Sequence, residues 1–202
     1  MHKRLQGLIA TDSRGLEDQL GHLASDHVET LTQRLESVKD AAWCLKKEIL
    51  DNIEKIGALC NGRHTALDPA STAIFHNINA VLNSIDHLEV RGRDSAGLSL
   101  LFILDPDVFD RFQKELENNT PALKLEIEGR SAQVVLGNRS ISIDRTNGHD
   151  GQSLVTISIV YKIAAEIGSL GDNVRFLRNE IRDDALLQHL TTYPHRFHTV
   201  SS

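Results

Sequence analysis

The sequence predicts an α+β protein, with a helical arm over residues 1–66 and helices packed on an antiparallel sheet over 67–202. Three observations carry that prediction. Apolar residues recur at steps of three and four from Leu16 to Ile56. A short apolar run, Gly97 to Leu104, is bounded by turn residues and reads as a buried strand. Beyond Pro121 the apolar period falls to two, and closely spaced turn signals imply antiparallel pairing.

In the arm, Leu16, Leu20, Leu23, Leu31, Leu35, Val38, Ala42, Leu45, Ile49 and Ile53 form the seam, blurred between Leu23 and Leu31. Charged residues fill the other faces, and no proline interrupts residues 13–60. Unbroken, such a helix would extend roughly 70 Å at 1.5 Å per residue. Two readings stand: a dimerising coiled coil, or an amphipathic helix or helical hairpin folded within its own chain.

Gly57, Gly62 and Pro69 mark the boundary after the arm. Asp68-Pro69 has the chemistry of a helix start, and Ile74, Ile78, Leu82, Ile85 and Leu88 line one face of the helix that follows. Arg91-Gly92 ends it. Asp105-Pro106 opens another helix, with Val108, Phe109, Phe112 and Leu116 on one side. Leu123, Leu125 and Ile127 alternate with Lys124, Glu126 and Glu128, which predicts a strand turned at Gly129-Arg130 and returning over Ala132–Leu136. Gly137-Asn138 and Asn147-Gly148 turn the chain around a strand holding Ile141 and Ile143. Leu154–Ile163 is a further strand. Asp172 is expected to cap a helix with Val174, Leu177 and Ile181, and a shorter one carries Leu186, Leu187 and Leu190.

Composition narrows the function classes. Lys and Arg number 22 against 28 Asp and Glu, a net charge of −6, which disfavours a nucleic-acid partner. Aromatics at 4% leave little for base stacking. No apolar stretch approaches the roughly 18 residues of a membrane span, and the amino-terminal residues do not form a secretory signal. Two cysteines, Cys44 and Cys60, make neither a disulfide framework nor a zinc set, so a reducing cytoplasmic location is expected. His22/His27 and His195/His198 lack neighbouring Cys or carboxylate ligands, and no metal or other cofactor is expected. Gly168-Ser169-Leu170-Gly171 could receive a phosphate at a helix start or serve as a plain cap, and Asp183-Asp184 reads as a helix-start pair.

The segment Leu88-Glu89-Val90-Arg91-Gly92-Arg93-Asp94-Ser95-Ala96-Gly97 resembles the Leu-Glu-Tyr-Arg-Gly-Tyr-Asp-Ser-Ala-Gly stretch of the glucosamine-6-phosphate synthase-like family. There it joins a helix to a strand of the glutaminase domain. Ile167 to Leu177 is similar to the family's glycine-containing entry into a later helix. Together the similar parts span about 70–104 and 155–200, with an insertion at about 105–150.

This resemblance implies a class II glutamine amidotransferase domain of N-terminal-nucleophile type, with two antiparallel sheets between helical layers. In that family an N-terminal cysteine attacks the glutamine amide and its own α-amine is the base. The whole enzyme is a glutamine–fructose-6-phosphate aminotransferase (isomerising). By resemblance Arg91, Gly92, Asp94 and Ser95 organise the site. Residue 1 is Met, so Cys60 is the candidate nucleophile, exposed by cleavage of a propeptide over 1–59; the other reading of Cys60 is a small buried hydrophobe at a helix end. Arg93 replaces the family's tyrosine, and the His-Thr-Arg-Trp-Ala run, the Asn-Gly oxyanion element and the glutamate-binding Asp have no counterparts. The expectation is an N-terminal portion of such a protein, inactive as this chain alone. Glutamine or a sugar phosphate would then bind only within a longer polypeptide. The alternative is a non-catalytic oligomerisation or regulatory module, a homo-oligomer through the N-terminal helix.

Overall fold

The computed structural model describes residues 1–19, 22–63, 67–88, 95–131, 140–147, 153–163, 171–194 and 196–201. The architecture is α+β, and the chain forms two compact units, Met1–Lys55 and Ile56–Ser202.

The first unit is a helical hairpin in place of one continuous helix. Helix α1 (His2–Gln19) packs antiparallel to α2 (Ser25–Cys44), with His2 and Gln6 beside Lys46 and Trp43, and Leu16 beside Leu31 and Leu35. Ala24, with φ −67° and ψ 146°, is extended and starts α2. The break falls between Gln19 and Ser25, whereas most of the blurred stretch from Leu23 to Leu31 lies within α2. After Cys44 the helix widens into a π-helical stretch, Leu45–Leu50, and resumes as α3 (Asp51–Leu59). The wider turn sets Lys46 against Asp51, Nζ to Oδ1 2.6 Å, and Lys47 pairs with the other oxygen at 3.3 Å.

The second unit is built on a four-stranded antiparallel sheet in the order β2-β3-β1-β4, comprising β1 (Ala96–Leu104), β2 (Ile141–Asn147), β3 (Ser153–Ile163) and β4 (Arg196–Ser201). Leu98 pairs with Tyr161 and Phe102 with Ile157 across β1 and β3. Strand β1 is paired on both edges, with β3 and β4, as suits the apolar run Leu100–Leu104. Helix α4 (Pro69–Leu88) begins as predicted: Asp68 Oδ1 accepts from the Ser71 N–H at 2.8 Å, with Pro69 in the first turn. Helices α5 (Pro106–Asn118), α7 (Asp172–Asp183) and α8 (Ala185–Leu190) complete the layer, and α7 starts after Gly171 at φ +88°, a conformation that suits glycine. One core joins Phe75, Ile78 and Leu82 of α4, Leu98, Leu100 and Phe102 of β1, Phe112 of α5 and Leu177 of α7.

The other face of the sheet is different. Ser99, Leu101 and Ile103 of β1, and Leu154, Thr156, Ser158 and Val160 of β3, alternate with the buried residues and remain half-exposed.

Residues 121–131 correct the sequence reading. They form helix α6 (Pro121–Ser131), not a strand and a turn. Five residues of alternation also satisfy a helical i, i+4 pair, and here Leu123 and Ile127 face the core while Leu125 is 67% exposed. Thr120-Pro121 supplies a helix start, the Thr120 carbonyl accepting from the N–H groups of Leu123 and Lys124, and Glu126 pairs with Arg130 one turn on. The predicted return strand 132–136 and the Gly137-Asn138 turn lie outside the described residues, apart from which β2 and β3 follow the expected pattern. The expected insertion thus brings α5, α6 and β2 into the second unit.

Candidate functional site

Of the glutaminase-site residues singled out by sequence, Cys60 and Ser95 lie among the described residues. Arg91, Gly92 and Asp94 lie outside the described residues, and Ser95 is exposed immediately before β1. Cys60 follows the last turn of α3. It is fully buried, and its thiol donates to the Ile56 carbonyl at 3.0 Å. Burial pushes the Cys60 thiol pKa up, and the nearby Arg63 guanidinium offsets this only in part. Gln188 of α8 closes this region: its Nε2 donates to the Leu59 carbonyl at 2.8 Å, and its Oε1 accepts from Arg63 Nη2 at 2.7 Å. Ser71 Oγ donates to the Thr191 carbonyl at 2.7 Å, tying α4 to the same end of α8. Cys60 therefore sits in a packed joint between α3 and α8.

His22 and His27 are exposed, and His195 and the Gly168–Leu170 segment lie outside the described residues. Among the described residues no three His, Cys, Asp or Glu side chains are placed to hold a metal ion.

A polar cluster that sequence reasoning missed opens on a cleft of about 570 Å³ between α6, β3, α7 and α8. Its centre is Asp184, with a side chain only 4% exposed. Asp184 Oδ2 accepts from the Tyr161 hydroxyl at 2.6 Å and from Arg130 Nη1 at 2.8 Å. Its Oδ1 accepts from the Leu187 N–H at 2.9 Å and so caps α8. Arg130 Nη1 also donates to Glu126 Oε1 at 2.9 Å, and Nε donates to Ser140 Oγ at 3.0 Å. Lys162 and Glu180 stand exposed at the margin.

Local sequence explains the arrangement. Tyr161 occupies an inward position of β3, where an aromatic ring fills the core and its hydroxyl needs a partner. Asp184 separates α7 from α8 and supplies that acceptor. Arg130 reaches it only because 121–131 is helical, which is why the strand reading hid the cluster. The Asp183-Asp184 pair expected at a helix start divides: Asp183 ends α7, is exposed and pairs with Arg182 at 2.7 Å, whereas Asp184 turns inward and caps α8.

Chemically the cluster holds its protons. Burial raises the Tyr161 pKa well above 10, and the Asp184 carboxylate adds to the rise. Burial opposes the charge of Arg130, but the hydrogen bonds to Asp184 and Glu126 outweigh it and raise its pKa. At neutral pH the phenol is neutral, the guanidinium is charged, and the carboxylate is saturated with donors. No general base is poised there.

Tyr193, the other tyrosine of the chain, donates to Glu115, and burial followed by that carboxylate pushes its pKa to about 12. A tyrosinate absorbance titration is therefore expected to show no phenolate step near pH 10 in the native chain, and two phenolates near that pH in denaturant. The sign follows: folded-state pKa values raised above the unfolded value give stability that is intact below about pH 10 and lost as pH climbs through the folded values. A native step at pH 10 contradicts the buried Tyr161 hydrogen bond.

Comparison with protein-family models, with curated proteins and with solved structures finds no match to this chain. Its functional reading rests on its own residues. No helix among the described residues is long and apolar enough to cross a membrane.

Proposed function

We propose that this chain is the N-terminal portion of a glutamine amidotransferase-like protein related to glutamine–fructose-6-phosphate aminotransferase, without glutaminase activity of its own. The observation that carries the reading is the block Leu88 to Gly97 in its setting. Helix α4 ends at Leu88 and the central buried strand begins at Ala96, a helix-to-strand junction like the one at which the resembling family carries all of these residues but Val90 and Arg93.

The half-exposed sheet face supports the same reading. Leu101, Ile103, Leu154 and Val160 are apolar residues on a face that the helices of this unit leave half-open. In a layered arrangement with two central sheets, a second sheet covers that face. Glutamine and a sugar phosphate are then ligands of the longer polypeptide, in a reducing cytoplasm that keeps Cys44 and Cys60 as free thiols.

The reading frame downstream of the Ser202 codon tests this directly. A His-Thr-Arg-Trp-Ala run followed by further β-strands is the expected continuation. A stop codon or an unrelated continuation overturns the assignment.

A further inference from the structure

The α1–α2 hairpin leaves its apolar seam incompletely enclosed. Among the described residues of the two helices only Ala42 is buried, while Leu5, Ile9, Leu16, Val28, Leu35 and Val38 are half-buried and Leu31 and Trp43 are exposed. Two helices alone cannot surround a core, and bundles solve this with further helices. An open groove of about 410 Å³ runs between the helices, floored by Leu16, Leu31, Leu35 and Val38. A Cβ added at Gly15 on its wall would meet nothing within 4 Å.

Charge along the hairpin indicates what fills the groove. Toward the bend, residues 10–30 carry Asp12, Glu17, Asp18, Asp26 and Glu29 against Arg14 alone. At the opposite end Lys3, Arg4, Lys39, Lys46 and Lys47 exceed Asp40, Glu48 and Asp51. A second hairpin laid alongside in the antiparallel sense sets acidic end on basic end twice, through one self-complementary surface. A parallel neighbour sets like charge on like charge.

We propose that two copies of this chain associate through their α1–α2 hairpins as an antiparallel four-helix bundle. The seam residues of each hairpin fill the groove of the other, and the segregated charge fixes the orientation.

The test uses the 202-residue chain and two charge-reversed variants. One carries Lys3→Glu, Arg4→Glu and Lys39→Glu; the other carries Glu17→Lys, Asp18→Lys and Asp26→Lys. Sedimentation equilibrium is expected to show a dimer for the natural chain. Each variant should dimerise about ten-fold or more weakly, since the rim contacts turn repulsive. An equimolar mixture of the two variants should recover the dimer as a heterodimer, which also shows that both are folded. A spin label on exposed Cys44, with buried Cys60 unlabelled, reports orientation. The antiparallel bundle separates the two labels by about 30 Å along the axis, from the length of a 20-residue helix. A natural chain that stays monomeric, a dimer unaffected by either reversal, or a label separation much shorter than this each overturns the proposal.

Discussion

Asp184→Ala is expected to lower the stability of the Ile56–Ser202 unit by about 3–5 kcal/mol, the cost typical of removing one partner of a buried ion pair. Three donors converge on this carboxylate: the Tyr161 hydroxyl, the Arg130 guanidinium and the Leu187 N–H. Alanine strands a mostly buried guanidinium and a buried phenol, and it removes the cap of α8, itself worth about 1 kcal/mol. Urea unfolding followed by far-ultraviolet circular dichroism gives the number, read as a shift in midpoint at unchanged slope. Asp184→Asn keeps an acceptor for the cap and should cost less. A combined replacement of Arg130 by Met, Tyr161 by Phe and Asp184 by Leu should recover much of the loss, because an apolar set of similar volume needs no compensating charge. A loss below about 1 kcal/mol for Asp184→Ala would show that water replaces the missing acceptor.

That cluster shows why part of this molecule was legible in sequence and part was not. Periodicity located α4, β1, α5, β2, β3, α7 and α8, because each buries one long face against a single core. It failed at 121–131, where Leu123, Leu125 and Ile127 fit a strand and a helix equally well over so short a window. The deciding facts were the Thr120-Pro121 start and the Glu126–Arg130 pair, both local signals that outweigh five residues of alternation. The seam left a coiled coil, a single amphipathic helix and a hairpin open, because Leu16, Leu20 and Leu23 keep helical spacing across the break between Gln19 and Ser25 and no proline marks it. The cluster itself joins residues 130, 161 and 184, a contact that no spacing rule encodes. The one local signal is that an inward tyrosine hydroxyl needs a partner, and that signal does not say which residue supplies it. Arg178 repeats the pattern: its guanidinium donates to Asn79 and Asn83 at 2.9 Å each, linking α7 to α4 across about a hundred residues of chain.

The 202-residue chain is expected to release no glutamate from glutamine above background. Class II glutaminase chemistry needs a thiol with a free amine on the same residue, because an acylated peptide nitrogen cannot accept the proton. Cys60 fails on each requirement. Its nitrogen lies within the continuous chain at the end of α3, its side chain is fully buried, and its thiol is committed to the Ile56 carbonyl. Burial raises its pKa, so its thiolate fraction falls below the few per cent of an ordinary cysteine at neutral pH. Residues matching the family's oxyanion donors are missing as well, and losing one such donor costs about 10²–10³ in rate. Thiol titration provides the structural half of the test: one cysteine, exposed Cys44, should react rapidly in the native chain, and both should react after unfolding. Glutamate release measured beside intact mass provides the other half. Glutaminase activity that disappears with Cys60→Ala, in a sample whose mass shows a new amino terminus at Cys60, would make residues 1–59 a propeptide. Cleavage there would also have to withdraw Leu59 from Gln188, since that carbonyl holds the joint closed at 2.8 Å. The uncleaved chain keeps Cys60 as part of its core.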